Sequence, residues 1–555
     1  MTDGPMRPDT ELVELYDTTL RDGSQREGIS YTASDKLRIA QKLDEFGVSF
    51  IEGGWPGSNP KDAEFFARAK DLEWKHAVIT AFGSTRRAKL GPENDPSLRA
   101  LLDAGTTACT VVGKTWTLHV LEVLRTTLDD NLKMIEESVR YLVSEKRRVI
   151  YDAEHFFDGY AGDPAYALET LRAAARGGAE TLVLCETNGG RLPWFVEETT
   201  RAVLAALDPS ARVGIHAHDD AGCGVANSLA AVRAGATQVQ GTINGYGERC
   251  GNANLSVIAP NLELKLGRRC LMPGRLRDIT EVSRFVAEVA NLAPDPHLAY
   301  VGRSAFAHKG GIHVAAMRRN AESYQHVDPA LVGNEMRVVV SELSGRGNVL
   351  SKAEELGVKV AEGADVEALE EIKRAEARGI SYEGAEASVA LLLSRKAKEY
   401  QPLFVVQDYE TRVGRRGAGE TYAEATVKLR VGGQAFHTAA EGNGPVAALD
   451  GALRKALTPV YPALAGIHLA DYKVRILDGK EGTEATTRVL IDSRYDQQTY
   501  STVGASPNII LASLEALVDA IEYGLLQHGV RLGDALLERS NDPRSERPAA
   551  RVAGN

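Results

Sequence analysis

Between residue 13 and about residue 265, eight short runs rich in β-branched residues alternate with stretches whose apolar side chains recur at helical spacing. No other feature of the chain restricts its fold so strongly. A strand, a helix and a further strand in succession build a parallel pair, and eight such units over about 250 residues match a closed (β/α)8 TIM barrel. The runs are VELYD (13–17), VSFIE (48–52), HAVITAF (76–82), ACTVV (108–112), VIYDAE (149–154), TLVLCE (181–186), RVGIHAH (212–218) and TQVQGTI (237–243). The helical stretches carry end signals. Thr32 is placed to cap a helix bearing Leu37, Ala40, Leu43 and Phe46, and Gly47 to end it. Asp163-Pro164 reads as an N-cap followed by proline in the first turn.

A chain of 555 residues exceeds one ordinary core, which stops growing near ~250–300 residues. After about residue 270 the strand signal fades and helical patterns dominate, interrupted by AFAHKGGIHVAAM, which reads as a loop. Beyond Pro402 alternation returns: Ala425, Val427, Leu429 and Val431 share one face and Thr426, Lys428 and Arg430 the other. Strands followed by GNGPVAALDGALRKAL, then DYKVRIL and TRVLIDS followed by VGASPNIILASLEALVDAI, suggest two matched ββα halves. The expected organisation is therefore an N-terminal tail (1–12), a catalytic barrel (13–268), a helical linker subdomain (269–400), a C-terminal α+β domain (401–530) and a disordered tail (531–555).

The formal charge of −11 disfavours general binding to nucleic acid or an anionic membrane, both of which need a basic surface. No uncharged apolar run reaches the ~18 residues of a membrane span. The start of the chain lacks the charged and apolar regions of a signal peptide, and five scattered cysteines suggest no disulfide framework, so a cytoplasmic location is expected.

In a barrel of this kind catalytic groups stand at the C-terminal ends of strands. Those ends offer Arg21-Asp22 with Gln25, then Glu52, Asp152 and Glu154, Glu186-Thr187, His216-Ala217-His218-Asp219 and the stretch Gly247–Asn252. His216 and His218, two apart on a strand, project to one side and can share an ion, with Asp22 adding a carboxylate. Two imidazoles, a carboxylate and an amide or water oxygen suit Mg²⁺, Mn²⁺ or Zn²⁺. An isolated His-x-His pair is more often structural, so the joint placement of these groups carries the reading.

DTTLRDGSQ after the first strand, HAHDD on the seventh and GERCGNANL after the eighth resemble the DRE-TIM metallolyase superfamily. Over nearly its full length the chain is similar to the isopropylmalate, homocitrate and citramalate synthase family. IEGGWPGSNPKD and YDAEHFFDGY resemble its citramalate branch. The resemblance implies that Asp22, His216, His218 and Asn252 hold the divalent metal. It implies that Arg21 stabilises negative charge on a keto oxygen with Glu52 orienting it, and that Gln25 and Thr187 bind substrate. It also implies that Glu154, His313 and Tyr324 remove a proton from acetyl-CoA. Two positions depart from the common pattern, Glu186 in place of aspartate and Asp219 in place of asparagine, and both keep a side-chain oxygen.

The resemblance further implies condensation of acetyl-CoA with pyruvate, a homodimer, and feedback by isoleucine at the C-terminal domain. The nearest rival is the same chemistry on 2-oxoisovalerate, one or two methyl groups larger, and Phe82 and Trp116 are the candidates for narrowing the pocket against it. A cleaving lyase would use a cysteine, for which Cys250 is placed, but has no need of the C-terminal domain. A non-catalytic amino-acid sensor would have no need of the polar set at the barrel mouth.

Overall fold

The computed structural model describes residues 12–341, 344–355, 363–397, 400–417, 419–477, 479–496 and 498–532. The expected terminal tails, 1–12 and 531–555, fall almost entirely outside these residues. The chain divides into two compact units, one reaching Phe306 and including Gln325–Met336, the other comprising Ala307–Tyr324 and everything from Arg337.

The first unit holds the barrel. Its strands are β1 (Glu14–Asp17), β2 (Phe50–Gly54), β3 (Val78–Ser84), β4 (Ala108–Lys114), β5 (Arg148–Glu154), β6 (Thr181–Glu186), β7 (Arg212–Ala217) and β8 (Gln238–Gly241). All run parallel in sequential order, and β8 closes on β1 with Tyr16 opposite Gln240. Each of the eight runs read from the sequence supplies one strand. His218 lies one residue beyond β7, where it forms an isolated bridge with Asn252.

The end signals act as their chemistry dictates. Thr32 accepts from the Asp35 amide while the Asp35 carboxylate accepts from the Thr32 amide, a reciprocal cap on the helix Ala33–Phe46. Gly47 ends that helix at φ 94°, a conformation that costs glycine nothing. Asp163 caps Pro164–Gly177 by accepting from the Tyr166 amide.

In the second unit the segment expected as a loop contains a helix, Gly311–Met317, preceded by β9 (Ala307–His308), which pairs with β10 (Arg337–Val338). The repeat has three strands per half. β11 (Val405–Arg416), β12 (Glu420–Val431) and β13 (Gln434–Gly442) precede the helix Pro445–Leu457, and β14 (His468–Ile476), β15 (Thr487–Tyr495) and β16 (Gln498–Ser506) precede Ile509–Gln527. Both sheets are antiparallel meanders. The face of β12 carrying Ala425, Val427, Leu429 and Val431 is buried against Leu449, Leu453 and Leu457 of the following helix.

Candidate active site and metal centre

Inside the barrel the strands contribute two kinds of layer. Phe50, Ala108, Ile150 and Val183 form an apolar plug with Tyr16 and Cys185. Two residues further along their strands, hence on the same inward face, stand Glu52, Thr110 and Asp152. With His216 and Gln240 they make a buried polar layer, all five 5% exposed or less. Buried polar groups persist only when they are hydrogen-bonded, so the connectivity of this layer defines the site.

Glu52 accepts from three donors: Tyr16 Oη at 2.6 Å, Thr18 Oγ1 at 2.5 Å and Arg21 Nε at 2.6 Å. That leaves it fully engaged in holding Arg21. The guanidinium also pairs with Asp22 at 3.1 Å and lies 3.9 Å from the centre of the Phe82 ring, which Trp55 meets edge-on at 5.3 Å. A planar donor fixed on three sides cannot swing away from the barrel mouth.

Asp22 Oδ2 lies 3.4 Å from His216 Nε2 and 3.9 Å from His218 Nε2, and the two imidazole nitrogens are 3.4 Å apart. Burial alone would raise the Asp22 pKa, yet Arg21 and the two imidazoles hold it far below the usual carboxylate range. Burial and the neighbouring His216 push His218 down to about 4, so its ring is neutral and one of its nitrogens keeps a free lone pair. Burial also opposes charge on His216, but the hydrogen bond to Asp22 and its charge outweigh that and raise its pKa.

These residues fit a divalent cation. Three ligand atoms with lone pairs converge within 4.8 Å of one another. The side-chain oxygen of Asn252, bridged through its backbone to His218, is buried without a hydrogen-bond partner. Three of the four ligands expected from sequence, Asp22, His216 and His218, are thus brought together.

Behind His216 runs a chain of contacts that sequence reasoning missed. His216 Nδ1 meets Gln240 Oε1 at 2.9 Å, and Gln240 Nε2 donates to Asp152 Oδ1 at 2.9 Å. Burial pushes Asp152 up to about 7, against the pull of His216 and Arg21. Glutamine in a barrel strand gives no local signal of function. Only the register, which sets Gln240 beside His216, reveals it.

A cleft of about 680 Å³ opens over the site, lined by Arg21, Asp22, Gln25, Trp55, Phe82, Lys114, Glu154, Thr187, His218 and Arg249 among others. Glu154 pairs with Lys114. Thr187 Oγ1 accepts from the His155 amide at 2.9 Å, which leaves its hydroxyl hydrogen free to donate. Arg249 is fixed by both oxygens of Asp220 and by the Thr187 carbonyl. Trp116, expected to narrow the pocket, is not among the lining residues and instead stacks on His119 at 5.4 Å. Trp55, from the segment after β2, takes the place beside Phe82. His313 and Tyr324 belong to the second unit, where their rings stack at 4.2 Å.

Fold and site together define a (β/α)8-barrel enzyme of the divalent-metal type, with a fixed guanidinium beside its His₂-carboxylate centre. A family model described as HMGL-like matches residues 12–286, one described as homocitrate synthase post-HMGL domain-like matches 300–379, and the LeuA allosteric (dimerisation) domain matches 383–525. An (R)-citramalate synthase of Synechocystis sp. is 54% identical over 523 residues, 92% of this chain and 96% of that protein. Another, of Geobacter sulfurreducens, is 52% identical over 93% of this chain and 98% of its own. A 2-isopropylmalate synthase of Lysinibacillus sphaericus is 29% identical over 94% and 99%. The chain belongs to the citramalate synthase family.

Proposed function

We propose that the chain condenses acetyl-CoA with pyruvate and hydrolyses the thioester, releasing (R)-citramalate and CoA on the route to isoleucine. The observation that carries this reading is end-to-end identity above half to (R)-citramalate synthases, on a barrel whose mouth keeps a fixed guanidinium beside two imidazoles and a carboxylate.

Asp22, His216, His218 and Asn252 would hold the divalent ion, which supplies Lewis acidity for a bound 2-oxo acid. The mixed nitrogen and oxygen donors favour Mg²⁺ or Mn²⁺, with Zn²⁺ the remaining choice. Arg21 stands where negative charge grows on the keto oxygen, and Glu52 spares it any reorganisation. Gln25 and the free Thr187 hydroxyl hydrogen bind the substrate carboxylate. Glu154, paired with Lys114, takes the proton from the acetyl methyl group, and His313 and Tyr324 complete that half-reaction. The C-terminal domain binds isoleucine as a feedback effector and joins two copies into a homodimer, in the cytoplasm. Among the described residues no helix is long and apolar enough to cross a membrane.

A panel of 2-oxo acids with acetyl-CoA, read by thiol release with and without chelator, tests the reading. Pyruvate should be the preferred substrate and chelator should abolish turnover. Faster turnover of 2-oxoisovalerate would move the chain to the isopropylmalate synthases. Isoleucine binding without turnover under any divalent metal would make it a sensor.

A further inference from the structure

We infer that Gln240 and Asp152 are positioning residues that fix which nitrogen of His216 carries its proton, and so keep Nε2 open as a metal ligand. The inference rests on the reading of His216 as a ligand.

A neutral imidazole can present either nitrogen as donor, and a glutamine amide can present either its oxygen or its nitrogen. A His–Gln pair alone is therefore ambiguous: the proton can sit on Nδ1 facing an amide oxygen, or on Nε2 with Nδ1 accepting from an amide nitrogen. An ionised carboxylate removes the ambiguity because it only accepts. Asp152 Oδ1, 2.9 Å from Gln240 Nε2, requires the amide nitrogen on its own side. The amide oxygen then faces His216 Nδ1 at 2.9 Å, and that nitrogen must bear the proton. Nε2, 3.4 Å from Asp22 Oδ2, is then the nitrogen left for a bound ion to take in place of a proton.

The framework makes this arrangement rigid. The three groups sit on β5, β8 and β7, and the register sets His216 directly opposite Gln240. Gln240 is fully buried and Asp152 nearly so, so no water competes for either amide group. A ligand histidine whose second nitrogen is hydrogen-bonded is oriented and made more basic, and loss of such a partner costs about 10–100-fold in metal affinity. Here the partner is an amide, and the carboxylate acts through it.

The test is Mn²⁺ affinity of the full chain after chelator treatment, read from free Mn²⁺ by electron paramagnetic resonance at pH 8, where Asp152 is ionised. Gln240→Leu should weaken Mn²⁺ binding about 10–100-fold. Asp152→Asn should give a smaller but measurable loss, because an asparagine lets the amide chain run in either sense. The urea midpoint of the metal-free protein should not fall below wild type in Asp152→Asn, since burying the ionised carboxylate is itself a cost, so weaker binding there cannot come from a loosened fold. Wild-type Mn²⁺ affinity in both variants overturns the inference, and if Gln240→Leu does not fold, unchanged affinity in Asp152→Asn overturns it alone. His216→Ala separates the two levels: Mn²⁺ bound normally by that variant would remove the ligand reading itself.

Discussion

The Phe82 ring faces the guanidinium that the proposed chemistry depends on, 3.9 Å from ring centre to Arg21 Cζ, and is itself wedged by Trp55. The same ring that steadies Arg21 thus bounds the room left for the substrate's side chain. Phe82→Ala should lower kcat/KM for pyruvate and shift the ratio of 2-oxoisovalerate to pyruvate turnover upward by about tenfold or more, the scale of one or two methyl groups in an apolar pocket. An unchanged ratio in competition assays would show that the wall lies elsewhere. Glu186 gives a second prediction at this scale. Burial pushes its carboxyl up to about 7, and one oxygen has no hydrogen-bond partner. A raised carboxyl contributes stability below its unfolded pKa and loses that contribution as pH rises to about 7. Glu186→Gln removes the loss, so the variant should match wild type near pH 4 and exceed it by about 3 kcal/mol at pH 8, the linkage of a shift of this size. Urea midpoints at the two pH values measure the difference.

Helices and strands were legible wherever burial imposed a period on the sequence. All eight barrel strands are buried on both faces and read as continuous β-branched runs, and Thr32, Gly47 and Asp163 announce helix ends through their own side chains or lack of one. The C-terminal repeat was read one strand short per half for the complementary reason. β13 alternates only between exposed and half-exposed residues, and β16 carries Gln498, Thr499 and Ser501 along half its length, so neither shows the apolar alternation of β12. Gly311–Met317 escaped because one glycine precedes it and another opens it, and its apolar Ile312 is 80% exposed, which masks the helical stripe. Between the helices Glu386–Ser394 and Ile509–Gln527 lies a polar clamp that no local pattern could have shown. Arg395 pairs with Asp519 at 2.7 Å and with Glu522 at 2.9 Å, Ser388 donates to Asp519, and Tyr400 donates to Glu522. Arg395→Met would leave two carboxylates without their cation. It should destabilise the second unit by about 2–3 kcal/mol, short of the full cost of breaking a buried pair because the guanidinium is partly solvated. A denaturant midpoint equal to wild type would show the clamp to be neutral.

Taken as a whole the molecule is acidic, with 76 acidic against 65 basic residues, yet its proposed substrates are an oxo-acid anion and a phosphate-bearing thioester. The cleft reverses the sign locally: Arg21, Arg86, Arg87, Lys114 and Arg249 line it against Asp22, Glu154 and Glu248. Most of these cations are committed. Arg21 is held by Glu52, Arg86 by Glu137, Lys114 by Glu154 and Arg249 by Asp220. Arg87, by contrast, is exposed at the cleft and is held through its backbone, its amide donating to Asp95 and its carbonyl accepting from Arg86. An exposed cation beside committed ones attracts an anion over a Debye length of about 8 Å at physiological salt without specifying its shape. Arg87→Glu, which changes the local charge by two, should therefore cut kcat/KM for acetyl-CoA about tenfold at low ionic strength, chiefly through KM. The deficit should shrink toward wild type as salt approaches 0.5 M, where screening shortens the reach of every exposed charge to about 4 Å. A deficit independent of salt would instead mean that Arg87 makes a direct contact in the bound complex, and no deficit at all would mean that the four committed cations suffice to draw the substrate in.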